Sequence, residues 1–339
     1  MEQIKQMLEL MGRPAFCAEA GIIRAANNAA LSLQIAPGDP VEPLIAAGRE
    51  DYAEFQGGCL YLTLELCGQS FGASVTDVSG RHIFTLDADQ TTDEQRLLAL
   101  AAMELREPLG NVMALFDQLR AGSGEPDTHS RINRELYRLL RLMGNMTPRN
   151  APRLELMELN ALLQEIWDKA LPACEALGFR FTFTPHPAPV YSQVDAAMLT
   201  RAIHNLLSNS LKFAAKGGTI ELKLVLRNRR CIITLFDSGD DGSQSLASFT
   251  RFRREPGIED GRSGMGLGLS LVRETAAAHR GSAMLLQPPE GGTLVQLSFP
   301  QRQDTQNLRS PRRPVSYCGE LDAMRIELSD VLPPEFYQD

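Results

Sequence analysis

Residues 205–213 read Asn-Leu-Leu-Ser-Asn-Ser-Leu-Lys-Phe, a polar stripe within an apolar helical pattern. Asn205 and Asn209 are one helical turn apart and share a helix face, and Lys212 lies one turn further along it. An amide oxygen suits Mg²⁺, which prefers hard oxygen ligands, and a lysine supplies a point charge for phosphates. Polar residues on a helix surface would give the same pattern, and for this stretch alone that is the commoner explanation.

A second stretch predicts a strand that ends in a carboxylate. Residues 232–239 read Ile-Ile-Thr-Leu-Phe-Asp-Ser-Gly, so that Asp237 stands at the strand end, just before Gly239. A partly buried carboxylate in this position can accept a hydrogen bond from the exocyclic amine of adenine. An ordinary Asp-Ser-Gly turn is the alternative interpretation.

A third stretch carries alternating glycines at the start of a predicted helix, at Gly264, Gly266 and Gly268. Glycines let backbone N–H groups approach a phosphate closely, and the helix N-terminus adds a favourable partial charge. Three alternating glycines are weak evidence on their own. No dinucleotide-binding unit of about 30 residues with an acidic ribose partner surrounds them, which excludes a Rossmann interpretation.

Composition and charge limit the remaining possibilities. The chain has 339 residues, of which 43% are hydrophobic and 22% charged, and its formal net charge is −8. These proportions are typical of a globular protein with two or three folded units. The negative net charge argues against a surface that binds nucleic acid. No run approaches the ~18 apolar residues that a membrane span needs. The six cysteines are scattered, and we expect reduced thiols and a cytoplasmic location.

Further patterns extend this reading toward both ends of the chain. Residues 60–66 alternate between leucine and polar or aromatic residues, which predicts a half-buried strand, and two more strands follow after turns at Cys67-Gly68 and Ser79-Gly80. Two amphipathic helices come next, the second running from about Thr128 to Met146, and predict an antiparallel hairpin. The last apolar stretch, Leu321 to Leu332, predicts a segment that docks on the rest of the molecule.

The ordered motifs together resemble the ATP-binding domain of the sensor histidine kinase family, within the GHKL superfamily. Residues 205–213 are similar to its N box, 237–239 to its G1 box, 249–252 to its F box and 264–270 to its G2 box. The segments 279–281 and 291–300 resemble its closing hairpin. The resemblance covers roughly Leu154 to Pro300.

This resemblance implies that the chain binds ATP and Mg²⁺. Asn209 would coordinate Mg²⁺, Lys212 and Asn205 would assist at the phosphates, and Asp237 would hold adenine. The remaining nucleotide-binding residues implied are Gly239, Gly264, Gly266 and Gly268. Residues 242–263 would form a lid whose Arg251, Arg253 and Arg254 are either γ-phosphate contacts or plain surface arginines. In the family a second glycine usually follows two residues after Gly239, and this chain has Asp241 there, which weakens the expected nucleotide affinity.

The helical hairpin resembles the dimerisation and phosphoacceptor domain of the same family. Its motif is His-Glu-Leu-Arg-x-Pro-Leu, and residues 103–109 read Met-Glu-Leu-Arg-Glu-Pro-Leu. Met103 therefore replaces the phosphoacceptor histidine, and a thioether cannot form a stable phosphoryl adduct. Glu104 corresponds to the acid or base beside that histidine in the family, and here it has no histidine to act on. The histidines elsewhere in the chain are more readily explained as structural.

The sequence thus predicts an α+β multidomain chain. We expect a PAS-like sheet domain at residues 1–90, the dimerising hairpin at 91–148, a Bergerat-type α/β sandwich that binds ATP at 153–300, and a tail at 301–339. The predicted function is that of a histidine-kinase-like signalling protein that lacks autophosphorylation. The alternatives are a kinase acting on a partner chain and a non-catalytic regulatory module. Expected partners are a second copy, a response regulator or an intact histidine kinase, without nucleic acid or a membrane span.

Overall fold

The computed structural model describes residues 2–87, 105, 108–116, 118–119, 127–146, 151–214, 217–239, 268–289, 291–302 and 322–338. Within these ranges, no helix combines the length and apolar character needed to cross a bilayer. The predicted lid, the F box, Asp241, Gly264, Gly266, Met103 and Glu104 lie outside the described residues.

The N-terminal part is a mostly antiparallel sheet with short helices. Its elements in chain order are α1 (Glu2–Glu9), β1 (Ala15–Glu19), β2 (Ile22–Ala26), α2 (Asn28–Ser32), a 3₁₀ turn (Glu42–Leu44), β3 (Ile45–Ala47), α3 (Arg49–Glu54), β4 (Cys59–Leu66), β5 (Gln69–Val78) and β6 (Arg81–Leu86). The hairpins at Cys67-Gly68 and Ser79-Gly80 turn with positive φ at both residues, as two-residue hairpins require. The three alternating strands predicted from this region are therefore present.

The rest of the described chain is helical at first and then mixed. Its elements are α4 (Thr128–Met146), β7 (Glu155–Glu158), α5 (Leu159–Ala176), β8 (Arg180–Thr184), β9 (Tyr191–Val194), α6 (Ala196–Phe213), β10 (Thr219–Arg227), β11 (Arg230–Asp237), α7 (Gly268–Ala278), β12 (Ser282–Leu286), β13 (Thr293–Pro300), α8 (Ala323–Glu327) and a closing 3₁₀ turn (Pro334–Tyr337). The helix α4 coincides with the second helix predicted for the hairpin. Much of the first helix lies outside the described residues, so the hairpin itself stays a prediction.

One 11-stranded sheet contains strands from both the N-terminal and the C-terminal parts of the chain. The strand order is β2-β1-β6-β5-β4-β12-β13-β11-β10-β8, with β3 also paired to β4, and β7 and β9 form a separate two-stranded sheet. The joint is the antiparallel pairing of β4 with β12, in which Leu60 lies opposite Met284. Helices α5, α6 and α7 pack their apolar sides on the C-terminal part of the sheet and form the main hydrophobic core there.

Candidate functional site

The helix α6, which carries the first polar motif, is fixed at its start by a cap and a buried histidine. Asp195 is its N-cap, and its Oδ1 accepts a hydrogen bond from the Met198 N–H at 3.0 Å. The Asp195 N–H donates to His279 Nε2 at 2.9 Å, and His279 Nδ1 donates to the Thr275 carbonyl at 2.6 Å. Burial lowers the pKa of His279 and so favours the neutral ring that both hydrogen bonds need. The closing motif thus positions α6.

The adenine-binding carboxylate predicted from the sequence lies beside the other end of α6. Asp237 ends β11, is only 8% exposed, and its Oδ2 accepts a hydrogen bond from Ser210 Oγ at 2.7 Å. Burial raises the pKa of Asp237, whereas the Ser210 hydrogen bond favours its charged form. Gly292 packs on the same strand end, where an added Cβ would stand 2.1 Å from the Asp237 carbonyl oxygen. The structure therefore brings the N box and the G1 aspartate together.

Two of the three predicted N-box residues contact groups that the sequence did not suggest. Asn205 Oδ1 accepts a hydrogen bond from the Arg141 guanidinium at 3.2 Å, and its Nδ2 donates to Glu327 Oε2 at 2.6 Å. Lys212 Nζ lies 2.7 Å from Asp330 Oδ2. Arg141 belongs to α4, and both acidic residues belong to the C-terminal tail.

The remaining predicted residues are described only in part. Asn209 is half-buried on α6, and Ala214, just after that helix, forms an isolated β-bridge with Gly239. Gly268 is the first residue of α7. Over the parts of the chain that the structure describes, no group of three His, Cys, Asp or Glu side chains could hold a metal ion.

Sequence reasoning missed Arg141, Glu327 and Asp330. Arg141 falls within the amphipathic pattern of α4, where an arginine is an ordinary surface residue. The tail was expected to dock, but nothing in its pattern gave the place. The only signal was the presence of Glu327 and Asp330 within an apolar stretch, where buried charges need partners of opposite sign.

Comparison with known proteins relates this fold and site to one group. Residues 194–303 match the family described as histidine kinase-, DNA gyrase B- and HSP90-like ATPase. The sensor histidine kinase CpxA of Escherichia coli K12 is 31% identical over 222 residues, which are 62% of this chain and 47% of CpxA. The sensor protein kinase PmrB of Pseudomonas aeruginosa is 28% identical over 227 residues, covering 62% and 46%. The chain thus spans about half the length of these relatives.

Two solved histidine kinase structures align with this chain at TM-scores below 0.5. The histidine kinase AdeS of Acinetobacter baumannii aligns with a TM-score of 0.45 and 15% identity over 59% of this chain and 98% of that one. The histidine kinase ThkA, solved in complex with the response regulator protein TrrA, aligns with a TM-score of 0.46 and 15% identity over 88% and 98%. The relation to the group depends on the sequence matches.

Proposed function

Because this chain belongs to the sensor histidine kinase family, we propose that it is a dimeric signalling protein that binds ATP with Mg²⁺ and phosphorylates no histidine of its own. The observation that carries the proposal is the hydrogen bond from Ser210 to Asp237, which sets the G1 carboxylate against the N-box helix at 2.7 Å. This contact joins two motifs that are 27 residues apart in the chain.

At the adenine end, Asp237 supplies a hydrogen-bond acceptor in a largely buried setting. Ser210 occupies Oδ2, and a Cβ added at Gly239 would stand 3.3 Å from Oδ1. The glycine therefore keeps the space beside Oδ1 clear of a side chain, so that the exocyclic amine of adenine can donate to this oxygen. A base without the amine would leave Oδ1 without this donor, which favours adenine over such a base.

At the phosphate end, α6 presents the polar face of Asn205, Asn209 and Lys212. The Asn209 amide oxygen would bind Mg²⁺, which neutralises phosphate charge when bound. Lys212 would contact the phosphate oxygens directly, with Asn205 one turn before Asn209. Burial and the neighbouring Arg141 lower the pKa of Lys212, and the Asp330 carboxylate opposes that shift without overcoming it.

A dimer is supported by apolar side chains that the described helical segments leave in solvent. Leu136 and Met143 on α4, together with Met113 and Phe116 in the helical residues 108–116, are large and exposed. Side chains of this kind on the two helices of a hairpin are typical of a helix-bundle dimer interface.

The absence of autophosphorylation follows from the chemistry of Met103. Transfer would require a nucleophile that bonds to the γ-phosphorus as the bond to the ADP oxygen breaks, and the methionine thioether forms no stable phosphoryl product there. The bound nucleotide would then act by biasing the position of the ATP domain relative to the hairpin. The alternative function is phosphorylation of a partner chain. The complete N-box pattern at residues 205–213 is the feature that favours this alternative.

The test of phosphoryl transfer is incubation with γ-labelled ATP, using the wild type and Met103→His side by side. We expect no label on the wild type, because residue 103 has no imidazole. Label on Met103→His would show that the ATP site is competent and only the acceptor was lost. Label on the wild type would contradict the proposal.

Nucleotide binding is tested separately by titration with a non-hydrolysable ATP analogue and Mg²⁺. Asn209→Ala removes the proposed Mg²⁺ ligand and should weaken binding roughly tenfold or more, because a charged ligand loses an oxygen contact to its metal. The matched control is Asn28→Ala, which removes an exposed asparagine from the remote helix α2 and should bind as the wild type does. Equal affinity of the wild type, Asn209→Ala and Asn28→Ala would show that the N box is not part of the nucleotide site.

A further inference from the structure

Residues 322–338 of the C-terminal tail pack between the helix α4 and the N-box helix α6. Asp322 caps α8 by accepting a hydrogen bond from the Met324 N–H at 2.9 Å. Leu328, Leu332 and Tyr337 are at most 1% exposed and belong to the main core, so the tail is anchored by apolar burial. The Tyr337 backbone carbonyl also accepts a hydrogen bond from Asn133 of α4 at 3.0 Å.

Glu327, at the end of α8, is fully buried against α6. Its Oε1 lies 2.7 Å from Arg201 Nε, and its Oε2 accepts a hydrogen bond from Asn205 Nδ2 at 2.6 Å. Arg141 Nε lies 3.4 Å from the same Oε2. A carboxylate with no exposed surface is tolerated only with such pairing, so these contacts fix where the tail sits.

Asp330 lies three residues further on and contacts Lys212, two turns beyond Asn205 on the same polar face. Its Oδ2 is 2.7 Å from Lys212 Nζ and 2.5 Å from an Arg141 guanidinium nitrogen, and its Oδ1 is 3.2 Å from Arg138 Nε. Burial alone would raise the pKa of Asp330, but Arg141 and Lys212 outweigh it and hold that pKa well below its usual range. Asp330 is thus a fixed anion among three cations.

We propose that the tail is an internal competitor for the nucleotide, whose carboxylates at Glu327 and Asp330 occupy the N-box groups that would otherwise face the phosphates. The inference rests on the proposed function, because it takes Asn205 and Lys212 as phosphate contacts. An aspartate held by a lysine and two arginines supplies anionic oxygen acceptors to the same donors that a phosphate oxygen would use. Asn205 and Lys212 cannot serve both anions at once.

Competition makes nucleotide affinity depend on how often the tail is released. When the competent state is a fraction of the population, the apparent dissociation constant rises by the reciprocal of that fraction. By linkage, the nucleotide must loosen the tail by the same factor as the tail weakens the nucleotide. On release, Arg141 of α4 loses its contacts with Glu327 and Asp330, whereas Arg138 loses Asp330 but keeps its ion pair with Glu135, so the exchange changes the charge environment of α4.

The test uses the chain of residues 1–339 with Asp330→Ala, which removes the anion but keeps the apolar anchors of the tail. A non-hydrolysable ATP analogue with Mg²⁺ should bind roughly tenfold more tightly than to the wild type, within the range typical of coupled sites. The matched control is Glu335→Ala, which removes an exposed carboxylate of the same tail and should leave affinity unchanged. Thermal unfolding of each variant checks that the chain stays folded.

The second measurement is amide hydrogen exchange of residues 322–338 in the wild type, with and without the analogue. Competition requires faster exchange in this segment when the analogue is bound. Equal affinity of wild type and Asp330→Ala, with exchange unchanged by the analogue, would overturn the inference while leaving nucleotide binding intact. Failure of wild type, Asp330→Ala and Glu335→Ala alike to bind would instead overturn the proposed function, and this inference with it.

Discussion

At the scale of single residues, His204 is the most unusual group on α6. It is 1% exposed, and both ring nitrogens lack a hydrogen-bond partner among the described residues. Burial lowers its pKa to about 4, against opposing effects of Glu327 and Asp322 and a smaller lowering effect of Lys169. The ring is therefore neutral in the folded protein at neutral pH, directly beside the N-box residue Asn205.

His204 predicts a loss of stability on mild acidification. Because its folded pKa lies below the ordinary value of about 6.5, the unfolded chain binds the proton more tightly, and stability falls as pH drops from about 7 toward 4. The contribution of this one group between pH 7 and 5 is about 2 kcal/mol. Denaturant titrations should show that His204→Met flattens this pH dependence. His129→Gln, a change of an exposed histidine, should keep the wild-type slope; equal slopes in all three chains would contradict the assignment.

At the scale of elements, the junction between α6 and α7 depends on His279. Replacing it by phenylalanine keeps an aromatic ring in the core but leaves the Asp195 N–H without its acceptor. We expect His279→Phe to lower the free energy of unfolding by about 1–3 kcal/mol, the cost of a buried unpaired donor. The control is Arg280→Asn, an exposed neighbour with φ of 54°, where asparagine tolerates the left-handed backbone. An unchanged unfolding midpoint for His279→Phe would show that α6 needs no such anchor.

The sequence predicted the elements whose signals are local. The helical pattern predicted at residues 205–213 lies within α6, which runs from Ala196 to Phe213, because its cap and its apolar period are both local signals. The strand β11 ends at Asp237, as the stretch 232–239 predicts. The helix α1 and the β7–β9 pair were missed, because both are short and depend on contacts with distant segments. The tail contact of Glu327 with Asn205 spans 122 positions, and no local pattern could place it.

At the scale of the whole molecule, the joined sheet links the N-terminal strands to the nucleotide-binding part. Asp51 of α3 lies 3.3 Å from Arg230 of β11 and also accepts a hydrogen bond from Gln296 of β13 at 3.3 Å. Arg273 of α7, the helix that follows the glycine motif, contacts Asp87 at 2.7 Å. The N-terminal part is therefore connected to β11, β12, β13 and α7 by strand pairing and side-chain contacts.

The pairing of β4 with β12 leads to a prediction for Gly58, the glycine just before β4. Gly58 precedes β4 with φ of +83°, and a Cβ there would stand 2.2 Å from the Leu285 carbonyl oxygen of β12. Gly58→Val should separate the β4–β12 pairing, so that calorimetry records two unfolding transitions where the wild type has one. Gly38→Val imposes a similar backbone strain at φ of +102° in open space and should lower stability without splitting the transition. A single transition in Gly58→Val would show that the β4–β12 pairing is not what makes the two parts of the sheet unfold together. A split transition in Gly38→Val would show that splitting does not depend on this pairing.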